Sequence, residues 1–259
     1  MPPLPVLEQY VYLTALAGYP FLLAKLFRTK LARTYPFFAA FLTFQMVRTA
    51  VLLRIDHDTT LYGHVWVPTE LTVWVLYYLV IYEVFSLVLR DYPGIQRWGK
   101  RVLLAALGVS IVMAGVSLAV DVTGPTNPYP ILWTVNVIRR GVSFSLVLFI
   151  ILMMAYLAWF PVPQKRNVIV HAVLNVLYFM ALTVGVFYRN MVGYEVTRRL
   201  SFALGVVTAG TIWGWTLLLT RRGEEVDKIV GFRWSRRDEA RLLGQLRAIN
   251  DSLLSSTRK

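Results

Sequence analysis

Glu83 lies in the apolar run Val80-Ile81-Tyr82-Glu83-Val84-Phe85, seven residues before Arg90. Helical rise would set it about 10 Å from that basic end, too deep for its short side chain to reach an interface. Arg48 sits six residues before Arg54, about 9 Å from that end by the same rise, though an arginine can extend toward headgroups along its own stem. Asn167, His171, Asn175 and Tyr178 recur at steps of four, four and three, so they share one narrow stripe of a helix that should face protein or water. Charges and polar groups in hydrocarbon are costly, and each is a functional candidate needing a partner. Glu83, His171 and Asn175 therefore form a candidate inner polar layer, either a hydrogen-bond network holding helices together or a proton relay. Glu70, Arg139 and Arg140, at depths matching Arg48, form a candidate outer layer in which one carboxylate faces three guanidiniums and pairs with them or binds an anion. The competing reading puts these three at the headgroups, because residues 141–160 span a bilayer alone and 71–89 nearly do.

Other chemistry is excluded or unsupported. The chain has no cysteine, which removes disulfides, thiolate metal sites and cysteine nucleophiles. Zinc-protease, nucleophile-elbow, phosphate-loop and dinucleotide signatures are absent. His57 and His64 with Asp56 and Asp58 lack a recognised ligand spacing. A retinal protein would need a lysine midway along the last apolar segment, and residues 201–220 contain none. No catalytic residue, metal or cofactor is assigned, and a non-enzymatic role is favoured.

The elements that must hold these residues follow from composition. The 259 residues are 57% hydrophobic and 16% charged, with mean hydropathy +0.56, too apolar to hide in one soluble core. The expected fold is all-α, a polytopic transmembrane bundle with spans near 8–27, 36–54, 66–89, 102–121, 131–160, 167–187 and 201–220. Breaks such as Tyr35-Pro36, Asp91-Tyr92-Pro93-Gly94, Gly124-Pro125 and Pro161-Val162-Pro163 end the helices. Lys and Arg alternate across this scheme. Lys25, Arg28, Lys30 and Arg33, then Arg90, Arg97, Lys100 and Arg101, then Lys165 and Arg166, and the basic tail all fall on one side. Only Arg54, Arg189, Arg198 and Arg199 fall on the other. The excess marks the cytoplasmic side, so the N-terminus is outside and the C-terminus inside. The net charge of +13 thus reflects topology, not nucleic-acid binding. Met1-Pro2-Pro3-Leu4-Pro5 has no basic residue before the first span, the reverse of a signal peptide, so that span reads as an uncleaved helix.

Residues 1–220 form the membrane domain and 221–259 a basic cytoplasmic tail. Within the tail, Ser235 with Asp238 and Glu239 reads as a capping box. Leu242, Leu246, Ile249 and Leu253 then form a short apolar seam that docks on the protein, lies on the membrane or pairs with another copy. Phe232 and Trp234 beside Arg233, Arg236 and Arg237 favour anionic headgroups. Gly210 and Gly214, and the Ala106, Ser110, Ala114 repeat, mark close helix packing. Trp66, Tyr129 and Trp133 read as an interfacial belt.

Tyr35-Pro36-Phe37-Phe38, the Glu83 segment with Asp91-Tyr92-Pro93-Gly94, and Ile138-Arg139-Arg140-Gly141-Val142-Ser143 resemble a family of bacterial seven-helix membrane proteins with no established activity. The likeness covers roughly residues 8–220 and implies a membrane location only. The functional expectation is a non-enzymatic module of the cytoplasmic membrane, a sensor or scaffold binding a small ligand, lipid or partner helix. Its partners would be the lipid bilayer, with a second copy or a separate signalling protein. The alternative is a small-solute transporter or channel with an outer arginine site and an inner Glu/His relay.

Overall fold

The computed structural model describes residues 4–55, 60–121, 130–159, 163–192, 197–225, 227–229 and 235–256, and these are almost entirely helical. The long helices are α1 (Leu4–Arg28), α3 (Pro36–Leu52), α4 (Thr60–Val88), α5 (Pro93–Asp121), α6 (Pro130–Trp159), α7 (Arg166–Val192), α8 (Thr197–Leu218) and the tail helix α9 (Arg236–Ser256). A single turn, α2 (Leu31–Thr34), joins α1 to α3. Two short strands, β1 (Pro163–Lys165) and β2 (Asp227–Ile229), pair antiparallel with Gln164 opposite Lys228.

Among the described residues four stretches are long and apolar enough to cross a bilayer: Gln9–Arg28, Leu61–Val88, Arg166–Gly185 and Arg199–Leu218. These are the architecture of a membrane protein, and the surface agrees. Leu217, Leu104 and Val112 are each exposed by more than 60%, an outward display of large apolar side chains that a water-facing protein rarely carries.

Several helices overrun the apolar stretches that announce them. α5 starts at Pro93, two turns before the apolar residues begin, and carries Arg97, Lys100 and Arg101 in its opening turns. Apolarity locates the hydrocarbon, whereas backbone hydrogen bonding continues through polar residues until a breaker intervenes. Prolines act here as starters more than breakers. Pro36, Pro93 and Pro130 each occupy the first position of a helix, where the missing N–H costs nothing. α1 and α4 run on through Pro20 and Pro68, as membrane helices tolerate.

Packing is between neighbours, α1 with α3 and α8, α3 with α4, α4 with α6, and α5, α6, α7 and α8 in sequence. One close approach needs glycine: a Cβ on Gly18 would come within 2.7 Å of Ile212, which locks α1 to α8. Gly210 does not follow its sequence expectation. It is exposed with nothing near its missing Cβ, and only Gly214, against Leu174, sits in a packed seam. The side chains of Ala106, Ser110 and Ala114 lie outside the described residues.

The connections that carry the basic residues meet at one end of the bundle. Tyr35, between α1 and α3, donates its hydroxyl to Glu224 Oε1 at 2.7 Å in the 3₁₀ turn after α8 (Arg221–Glu224). Asn167, opening α7, donates to the same oxygen at 2.7 Å and to the Thr220 carbonyl at 2.8 Å. Gln164, just before α7, donates to the Val88 carbonyl at the end of α4. The tail helix docks on α5 at this same end.

Candidate functional site

Tyr35-Pro36 opens α3 with a residue whose phenol makes no cap bond to its own helix. Pro36 has no N–H, so the orphan donors that remain are those of Phe37 and Phe38, both at the bundle interior. Glu83 supplies what the local sequence lacks. Phe37 N–H donates to its Oε1 at 2.9 Å and Phe38 N–H to its Oε2 at 3.0 Å. Glu83 is buried, and this carboxylate rests on a helix N-terminus and its dipole. The Tyr35 N–H in turn donates to the Leu31 carbonyl, and the Ala39 N–H to the Tyr35 carbonyl, which completes the first turn.

Tyr92-Pro93 repeats the problem at α5, and Asn250 of the tail helix repeats the solution. Its Oδ1 accepts from the Gly94 N–H at 2.7 Å. Gly94 is required there, because a Cβ would fall 2.3 Å from the Asn250 carbonyl oxygen. Leu242 and Leu246 are buried beneath α9 and Leu253 half-buried. Ile249 is corrected, since it is 47% exposed and the seam runs through Asn250 instead. The seam pairs with the protein itself, and half of the capping box forms: Ser235 Oγ accepts from the Asp238 N–H, while the Asp238 carboxylate accepts from the Ser235 hydroxyl at 2.7 Å. Phe232 and Trp234 lie outside the described residues.

The helix stripe of α7 faces inward throughout, with Asn167, His171, Asn175 and Tyr178 all buried. The proposed cluster of Glu83, His171 and Asn175 is only partly assembled. Asn175 Nδ2 donates to the His171 carbonyl at 2.7 Å. Glu83 makes no hydrogen bond to His171, and Phe38 links the two, its N–H serving Glu83 and its ring packing edge-on to the imidazole at 4.5 Å. His171 is enclosed by the rings of Tyr35, Phe38 and Trp215, and neither ring nitrogen has a partner among the described residues. The inner layer is therefore two separate devices, a capped helix and an aromatic box: the Glu83 carboxylate is turned to the start of α3, while rings enclose the imidazole.

At the opposite end Arg48 and Glu70 form a buried ion pair, Nη2 to Oε2 at 2.5 Å. Thr69 accepts from Arg48 Nε at 3.1 Å, and Trp74 donates to Glu70 Oε1 at 3.3 Å. Glu70 is 2% exposed, so its carboxylate faces the protein interior and Arg48. The side chains of Arg139 and Arg140, like residues 56–59 with His57, lie outside the described residues. So do Tyr129 and the side chain of Trp133, while Trp66 is partly buried against the core. Among the described residues no three His, Asp or Glu side chains converge as metal ligands.

Outside the spans, Tyr35 shows how the tail end stays locked. Burial and then the Glu224 carboxylate push its phenol above the ordinary value of 10.0, so it remains protonated and remains the donor. Comparison of the chain with protein-family models, curated proteins and solved structures finds no match.

Proposed function

We propose that the chain is a non-enzymatic module of the cytoplasmic membrane that crosses seven times through α1 and α3 to α8, with its N-terminus outside and its tail inside. It acts as a scaffold or sensor whose cytoplasmic face presents a fixed tail helix to a partner. The observation that carries this reading is the use of Glu83. Both its oxygens accept backbone N–H groups, so the best acid in the membrane part is held as a structural cap, each oxygen tied to the start of α3. Arg48 is likewise engaged by Glu70. The even gathering of basic connections and tail at one end supports the alternation, and the positive-inside rule supports its direction.

Two measurements test it. The absence of cysteine makes single introduced thiols unique, so Thr29→Cys and Ser255→Cys should label only from the cytoplasmic side and Thr126→Cys only from outside. Purified protein in liposomes should pass neither protons nor chloride faster than empty liposomes. Flux above that control, lost in Glu83→Gln, would establish transport in its place.

A further inference from the structure

A cavity of about 10 Å³ lies between α1, α3, α4, α7 and α8. That is room for about one water and for nothing larger. Its wall includes Trp215, Asn175, Thr208 and Thr211, and the hydrogen-bonding capacity left over on these four is specific. Trp215 Nε1 is buried with no partner among the described residues, and an indole N–H can only donate. Thr208 spends its hydroxyl proton on the Leu204 carbonyl at 2.8 Å and Thr211 spends its own on the Thr208 carbonyl at 2.9 Å. Each threonine oxygen thereby keeps acceptor lone pairs. Asn175 directs its NH₂ at the His171 carbonyl, leaving its amide oxygen as a third acceptor.

We propose that this cavity is a built hydration site holding a single water, which accepts from Trp215 Nε1–H and donates to acceptors on Thr208, Thr211 or Asn175. The indole donor and these acceptors, beside the phenols of Tyr19, Tyr77 and Tyr178 that also line the wall, suit a molecule that both accepts and donates. A cation would confront the indole N–H, an anion would confront the acceptors, and no lining residue carries a charge to hold either. A dry cavity would strand the Trp215 donor in hydrocarbon surroundings, a cost buried waters commonly remove. The water ties α7 to α8 at mid-depth and is independent of whether the module senses or scaffolds.

A structure of the full chain in lipid nanodiscs, at a resolution that shows ordered water, tests this directly. One isolated density within hydrogen-bond distance of Trp215 Nε1 and of at least one of the three acceptors is expected in the native protein, and its loss is expected in Trp215→Phe. An empty cavity, a density extended as an acyl chain or larger solute would be, or a water that persists unchanged in Trp215→Phe would each overturn it. The native map decides the question even if the variant fails to fold.

Discussion

α3 and α4 carry a buried glutamate contact at each end, and the two contacts differ in what answers the carboxylate. Glu70 meets the guanidinium of Arg48, a partner written in the sequence and removable by mutation. Glu83 meets the N–H groups of Phe37 and Phe38, which belong to the backbone and survive every substitution except proline. An ion pair can be deleted as a pair, whereas a cap cannot be deleted without orphaning the helix it serves. That asymmetry turns two similar buried acids into opposite experiments.

The largest effect is expected from Arg48→Met alone, which leaves Glu70 buried and uncompensated and should cost about 3–5 kcal/mol in thermal or denaturant unfolding in detergent. Arg48→Met with Glu70→Leu should recover most of that loss, because apolar replacement of a whole buried pair is often neutral. A double variant as unstable as the single one would break the contrast from that side. Glu83→Ala should cost about 2–4 kcal/mol, one to two stranded donors' worth, with Glu83→Gln between it and the native protein because the amide retains one acceptor. A second-site partner deletion has no counterpart here.

Weaker effects belong to the tail. Asn250→Ala removes the α5 cap and should cost about 0.5–2 kcal/mol of docking, read as faster tryptic cleavage after Arg241 and Arg247 while the transmembrane part stays intact. Gly94→Ala should do the same or more, since its Cβ collides with α9. Equal cleavage in native and both variants would show that α9 does not rest on α5. The smallest change is at Lys30, the described non-glycine residue with positive φ, 61°. Lys30→Gly should relieve about 1 kcal/mol of left-handed strain, partly offset by the freer unfolded chain, and raise the melting temperature slightly.

How much of this was legible follows from what the letters encode. The burial of Glu83 and the inward α7 stripe were readable, because an acid in an apolar run and a four, four, three spacing are statements about side chains. The partner of Glu83 was not, because a backbone N–H has no letter. Its signal was present in Tyr35-Pro36 and Tyr92-Pro93, where a proline start lacks Ser, Thr, Asp or Asn at the cap and must be served from elsewhere. Leu242 and Leu246 are readable as a seam, but apolarity points to Ile249 as its next member. Asn250 is buried instead because Gly94 lets α9 come close enough for an amide to reach an orphan donor. Gly210 shows the reverse error, a glycine spacing that implied packing and meets open space.

The central claim is that Glu83 is a helix cap and not a relay. Amide proton NMR of Phe37 and Phe38, selectively labelled with ¹⁵N in nanodiscs, reads it at the bonded atoms. Both amide protons should resonate downfield as carboxylate-bound donors and both should move upfield in Glu83→Ala, with other phenylalanine amides little changed. If these two resonances stay where they are when Glu83 is removed, the carboxylate is not holding α3, and the account is wrong.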